Sequence, residues 1–248
     1  MNRAGPEAKL SARGLSFQVG GAPILDNFEV DLAPGEVVGL IGPNGAGKTT
    51  AIDLLSGFRD SEAGSVQLSG HELSGMPPDR RVRMGMARTF QESPAIPGLS
   101  VLDHVLLAFE TVGRTRDRSR SPKEILDRVG LADDAAREGG FLPIGKRRLL
   151  DVARAWATTP EVLILDEPFA GLERHEEERL NGILADLRRE RRSVLIVEHR
   201  LSLLGEVADS VLVLVQGRLM AQGTMENVLQ DPSVQKAYLH AGGPEVGA

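Results

Sequence analysis

The sequence contains no cysteine, which excludes disulfides, thiolate metal sites and cysteine nucleophiles and fits a reducing compartment. It lacks basic excess: the net charge is −6, so nothing global favours counterion release from a nucleic acid, and no nucleic-acid partner is expected. No apolar run approaches the roughly 18 residues needed to cross a bilayer. The stretch Met1 to Ala8 has no apolar core of the signal-peptide kind. The chain is therefore expected to be soluble by itself and to reach a membrane only through a partner. Repeats and heptads are absent, as is the guanine-reading pattern Asn-Lys-x-Asp. What remains is an ordinary globular composition, 41% hydrophobic and 26% charged over 248 residues, with room for one large or two small domains.

The sequence does contain Gly42-Pro43-Asn44-Gly45-Ala46-Gly47-Lys48-Thr49-Thr50, which fits the phosphate-cradling pattern G-x-x-x-x-G-K-[ST]. It follows the apolar run Val37 to Ile41, read as a buried strand, and precedes the helical pattern Ala51 to Leu55. Glycines allow the backbone to fold round an anion, and the next helix begins with unpaired N–H groups and its positive dipole end facing the same place. Lys48 would neutralise β- and γ-phosphate charge, and the Thr49 hydroxyl would sit on Mg²⁺.

Before this loop, Leu15 to Val19 and Phe28 to Leu32 alternate apolar and polar, predicting a small antiparallel sheet with Gly20-Gly21-Ala22-Pro23 as its turn. Gly64 to Leu68 reads as another strand. Met76 to Arg83 shows no clear element. From Glu92 to about Gly140 a helical pattern dominates, including Val101 to Phe109 and Pro122 to Val129, with Arg114 to Arg120 as a solvated loop and contact with an anionic partner as the alternative. A helix is expected over Arg147 to Ala157. The run Val162 to Leu165 ends at Asp166-Glu167-Pro168, and Ser193 to Val197 ends at Glu198-His199. Carboxylates are poor strand residues, so their place at a strand's end points to a site on the edge of a parallel sheet. A polar helix fills Arg174 to Arg192, Val211 to Ala221 reads as a hairpin, and a short helix finishes near Tyr238. The alternation of apolar strands and helices predicts an α/β fold with a mostly parallel sheet.

Three strand ends thus carry related chemistry and are expected to converge on one nucleotide. Mg²⁺ prefers oxygen ligands and keeps waters, which suits Thr49, Gln91 and, through water, Asp166. Glu167 would polarise the attacking water, and His199 would hold that water and the γ-phosphate in line. His71, His104, His175 and His240 lack such context and read as structural.

In this order the motifs resemble the nucleotide-binding subunit of ATP-binding-cassette transporters over nearly the whole chain. Gln91 matches the family's Q-loop glutamine, Leu142-Pro143-Ile144-Gly145-Lys146 occupies the signature position, and Val162 to Glu167 matches Walker B. Ala170-Gly171-Leu172-Glu173 matches the D-loop and His199 the switch histidine. Met84 to Gln91, the Leu-Pro-x-Gly signature, Val197-Glu198-His199 and Asp231 to Leu239 are similar to the ATPase subunits of branched-chain amino acid importers. The lipopolysaccharide-export ATPase shares Asp166-Glu167-Pro168-Phe169-Ala170-Gly171 and a similar tail and is the alternative. Non-transport cassettes acting on nucleic acid or ribosomes usually carry coiled-coil insertions or tandem cassettes, and this chain has neither.

The resemblance implies a P-loop NTPase (RecA-like) core over 9–90 and 160–225 with an N-terminal antiparallel β subdomain. It implies a helical subdomain over 92–157 and a C-terminal helix and tail over 226–248. ATP and Mg²⁺ are the implied cofactors. The implied partners are a second ATPase subunit, two transmembrane permeases docked near Gln91 and an extracytoplasmic substrate-binding protein, at the cytoplasmic face of the membrane. Each ATP would be sandwiched between one chain's phosphate loop and the other's signature helix. Three departures stand out. Pro143 replaces the signature serine, whose hydroxyl donates to the γ-phosphate, while Lys146 adds a charge in place of glutamine. This favours a heterodimer with one stronger and one weaker site. Val19 stands where the family places an adenine-stacking aromatic, with Phe17 out of register, and Glu173 replaces the usual D-loop aspartate.

Overall fold

The computed structural model describes residues 8–91, 95–112 and 120–240. The expectations for Met1 to Glu7, Glu92 to Pro94, the loop up to Ser119 and the tail after His240 lie outside these residues. The chain begins with strands β1 (Leu10–Val19), β2 (Ala22–Leu32) and β3 (Val37–Ile41), then helix α1 (Lys48–Ser56). Strands β4 (Ala63–Leu68) and β5 (His71–Glu72), helix α2 (Pro78–Met84) and strand β6 (Met86–Arg88) follow. Helices α3 (Val101–Thr111), α4 (Pro122–Arg128) and α5 (Ile144–Ala157) lead to β7 (Val162–Asp166), α6 (Arg174–Arg189) and β8 (Ser193–Val197). The last elements are α7 (Leu201–Val207), β9 (Ser210–Val215), β10 (Arg218–Gly223), α8 (Met225–Leu229) and α9 (Pro232–His240).

Two sheets form. An antiparallel sheet has the order β2-β1-β4-β5, and a six-stranded sheet the order β10-β9-β3-β8-β7-β6. In the second, β9, β3, β8, β7 and β6 run parallel, and only β10 is antiparallel, at one edge. The two-residue strand period divides the core. Val37, Ile41, Leu163, Leu165, Val194 and Ile196 face a cluster shared with α3 to α6. Val38, Leu40, Val162, Ile164, Leu195 and Val197 face a cluster shared with α1 and the antiparallel sheet. Each of these strands is buried on both faces, which explains their uninterrupted apolar runs. Each fully buried aliphatic side chain contributes about 1.5–3 kcal/mol, so this two-sided sheet is the rigid frame for whatever its strand ends carry. Gly39 serves that packing, because a Cβ there would lie 2.5 Å from Leu204 of α7.

The expected α/β class holds, and several boundaries move. The first turn is Gly20-Gly21 alone, with φ of 58° and 81°, a two-residue hairpin that positive-φ glycines permit. Helix α2 occupies Pro78–Met84, where no element was expected; Pro sits in its first turn and Gly85 closes it in the left-handed region. Helix α5 starts at Ile144, not Arg147, because Pro143 stands at the N-cap and the last three signature positions are already helical. Helix α6 ends at Arg189 instead of Arg192, and the end of the chain holds two helices, α8 and α9, where one was expected.

Candidate functional site

The phosphate loop connects β3 to α1 and rests on the turn between β9 and β10. Gly217 N–H donates to Ala46 O at 2.9 Å. A Cβ on Gly42 would lie 2.1 Å from Leu214 O, and one on Gly47 would lie 2.8 Å from Ile24 O. Gly47 also has φ of 102°, so both positions require glycine on steric grounds. Helix α1 begins at Lys48 with Gly47 as a cap that offers no side chain, leaving the first-turn N–H groups directed into the loop. Asn44, Gly45 and Thr49 are exposed on its outer side. The Lys48 ammonium reaches back across the loop to Gly42 O at 2.7 Å and Pro43 O at 3.0 Å. Burial pushes its pKa below the ordinary lysine value, and the negative charges of Glu167 and Asp166 pull the other way.

Those carboxylates come from the end of β7. Asp166 continues the face of Val162 and Ile164 and so points towards α1, whereas Glu167 lies one residue past the strand with φ of 48°. A non-glycine residue in the left-handed region is costly and persists only where its surroundings fix it. Here the Glu167 N–H donates to Val197 O at 2.9 Å, and its Oε2 accepts from Gln91 Nε2 at 3.1 Å. His199 Nε2 lies 3.4 Å from that same oxygen. The Asp166 N–H donates to Thr89 Oγ1 at 3.1 Å. Burial raises the pKa of the Asp166 carboxyl, and neighbouring Arg88 opposes that rise. The fold thus gathers Lys48, Gln91, Asp166, Glu167 and His199 at the carboxyl ends of adjacent parallel strands.

The expected Mg²⁺ donors are compatible with that ion. Thr49, Gln91 and Asp166 supply a hydroxyl, a carboxamide and a carboxylate, all hard oxygens. Among the described residues no group of three or more His, Asp or Glu side chains could cage a metal by protein alone. An ion sharing phosphate oxygens and waters is what such a sparse set suits.

The signature segment opens helix α5. Leu142 is buried, Phe141 and Ile144 are exposed, and Pro143 caps α5 without a side-chain hydrogen bond. The Lys146 ammonium pairs with Asp134 at 2.5 Å. Gly145 is buried against Glu176, whose Oε2 a Cβ would meet at 2.0 Å. That carboxylate accepts the Glu173 N–H at 2.9 Å, so Glu173 serves as the N-cap residue of α6. Val19 is exposed, while Phe17 lies under the Arg59 guanidinium at 5.3 Å. His104 is a satisfied core residue: its Nε2 accepts from Ile96 N–H and its Nδ1 donates to Ser100 O, each at 2.8 Å.

Sequence reasoning missed several residues around the cleft. Arg88 pairs with Asp53 at 2.6 Å and with Asp166 at 3.3 Å. The signal was its place in a short apolar strand, where a buried arginine requires a carboxylate. Glu198 is buried and folds back to accept the N–H groups of His199 (2.8 Å) and Arg200 (3.3 Å). Arg200 ties that turn to Phe169 O at 2.7 Å and to Glu177 at 2.9 Å. Arg148 of α5 donates to the carbonyls of Phe90 and Gln91 at 3.1 and 2.7 Å.

Residues 25–170 match the family model described as ABC transporter. The chain is 36% identical over 247 residues to the high-affinity branched-chain amino acid transport ATP-binding protein LivG of Escherichia coli K12, covering 93% of this chain and 97% of that protein. The corresponding BraF protein of Pseudomonas aeruginosa shows the same identity and coverage. Among solved structures, the ADP conformation of an ATP-binding cassette from an ABC transporter superposes with a TM-score of 0.82 at 26% identity, covering 94% of this chain and 98% of that one. A dimeric cassette in a post-hydrolysis state with ADP and phosphate, 20% identical with a TM-score of 0.78 over 87% of this chain and 98% of that one, shares the fold.

Proposed function

Because this chain belongs to the ABC transporter family and is one of its ATPase subunits, we propose that it powers an importer of branched-chain amino acids or related small polar compounds. The observation that carries the catalytic part is the meeting of Gln91, Glu167 and His199 on a single carboxylate oxygen beside the phosphate loop. The substrate class rests on the likeness to LivG and BraF over almost their full length.

In this reading Lys48 exchanges the carbonyls of Gly42 and Pro43 for the β- and γ-phosphates, and the N–H groups of Gly45 to Thr50 line the rest of the triphosphate. Thr49, Gln91 and, through water, Asp166 would hold Mg²⁺, which would supply charge neutralisation to the bound phosphates. Glu167 polarises the water that attacks the γ-phosphate. Gln91 and His199 hold that carboxylate from two sides, and Glu198 fixes the backbone that presents His199. Its strained φ keeps Glu167 aimed at the cleft instead of along the strand.

The second half of each site comes from a partner subunit. The signature segment Leu142 to Lys146, which leads into α5, faces the partner's nucleotide with backbone donors and a dipole end. Pro143 brings no hydroxyl and Lys146 is paired with Asp134, so a heterodimer with a partner carrying an intact signature is favoured, one site stronger than the other. No helix of the described residues is long and apolar enough to cross a membrane. Two permeases, with an extracytoplasmic binding protein, supply the pathway, and the chain works at the cytoplasmic face. The segments 9–90 and 160–225 act as the catalytic core, 92–157 as the helical subdomain and 226–248 as the C-terminal part. The test is purification with the partner ATPase and permeases. Transport that ceases with Glu167→Gln supports the reading, and a purified homodimer hydrolysing at full rate in both sites overturns the asymmetry.

A further inference from the structure

The structure assigns a positioning role to Arg88: its guanidinium fork fixes Asp166 against helix α1, setting the distance between the end of β7 and the phosphate-loop helix. This rests on the reading of Asp166 as the carboxylate that serves the nucleotide's Mg²⁺.

Arg88 lies in register with Ile164, so its side chain shares the sheet face on which Asp166 stands two residues further on. Only 6% of that side chain is exposed. One fork nitrogen donates to Asp53 Oδ1 at 2.6 Å and to Ser56 Oγ at 3.2 Å, both on α1. The other donates to Asp166 Oδ2 at 3.3 Å. The anchoring is therefore unequal: tight to α1, looser to the strand end. Asp53 is itself braced by Arg59 at 3.0 Å.

Two aromatic rings also cover one side of the guanidinium. Its central carbon lies 4.9 Å from the Phe90 ring centroid and 5.7 Å from that of Phe58, and the two rings meet edge to face at 5.1 Å. Aromatic faces hold the plane of the fork while its edges hold two carboxylates on different elements. Phe90 immediately precedes Gln91, so the plane of Arg88, the position of Asp166 and the start of the Gln91 loop are set by one contact group. A lysine carries the charge but not the fork, and cannot hold both carboxylates in fixed directions.

The test compares Arg88→Lys, Arg88→Met and Asp53→Asn with the wild-type full chain, by thermal unfolding and by calorimetric ATP binding in EDTA and in Mg²⁺. Arg88→Lys and Arg88→Met are expected to bind ATP in EDTA as the wild type does. They should lose about 10–100-fold of the affinity gain that Mg²⁺ gives the wild type, the range typical of groups that orient metal ligands. Asp53→Asn, which loosens the anchor and leaves the fork, should lose part of that gain, and it carries the test if Arg88→Met does not fold. A wild-type Mg²⁺ gain in Arg88→Lys overturns the positioning role. So does an equal loss in EDTA and in Mg²⁺, which would mark Arg88 as a packing residue. A wild-type chain whose ATP affinity ignores Mg²⁺ overturns the reading of Asp166 underneath.

Discussion

Gly145 is the one glycine left in the altered signature, and its packing makes a substitution there quantitative. Alanine at position 145 would place its Cβ 2.0 Å from Glu176 Oε2, 2.6 Å from Cδ and 2.7 Å from Oε1. The Glu176 residue is 6% exposed and has little room to retreat. If its carboxylate leaves, the Glu173 N–H at the start of α6 loses its acceptor, a cap loss of about 1 kcal/mol. The displaced carboxylate, kept from good partners, adds about 1–3 kcal/mol. Against this, alanine is favoured over glycine within a helix by about 1 kcal/mol. Gly145→Ala should therefore destabilise the protein by about 1–3 kcal/mol, and in a Glu176→Ala background, where the clash is gone, it should be neutral or stabilising by up to about 1 kcal/mol. Urea unfolding of the four proteins measures both numbers. A neutral Gly145→Ala in the wild-type background, or the same cost in both backgrounds, would refute the reasoning and leave approach to a partner's nucleotide as the only need for glycine.

Other outcomes follow from the same geometry. Glu167→Gln should bind ATP normally and hydrolyse it about 10²–10⁴-fold more slowly, since it loses the base that orients water; single-turnover hydrolysis checks this. Gly47→Ala should abolish ATP binding in a calorimetric titration, because φ of 102° and the Ile24 carbonyl leave no place for a Cβ. Val19→Tyr should tighten ATP binding by about fivefold, equivalent to roughly 1 kcal/mol of stacking, and unchanged affinity would mean that the base is held elsewhere. Asp103 and Glu124 accept hydrogen bonds from the Ser100 and Ser121 caps, which holds both carboxyls below their ordinary values. With folded pKa values depressed, their stabilisation is present above the unfolded values and is lost as the pH falls through the folded ones. Asp103→Asn with Glu124→Gln should therefore flatten the acid side of the unfolding curve.

The parts of the site legible in sequence were those whose chemistry breaks a pattern. Asp166-Glu167 and His199 end apolar runs, and the phosphate loop interrupts a strand-to-helix passage, so residue type and place agreed without knowledge of neighbours. The supporting contacts depend on register, which sequence does not state. Arg88 and Asp166 meet because β6 pairs in parallel with β7, and Lys146 turns to Asp134 because α5 begins three residues earlier than its charged run suggests. Helix α2, seven residues long, has only Val82 and Met84 as apolar side chains after its proline, too few to display a helical period.

The most direct test of the central claim is the position of the triphosphate in a structure of the Glu167→Gln chain with ATP and Mg²⁺. The expected result is the Lys48 ammonium on the β- and γ-phosphates, released from the Gly42 and Pro43 carbonyls, with His199 and residue 167 facing the γ-phosphate. A nucleotide bound elsewhere, with Lys48 still on those two carbonyls, would contradict it.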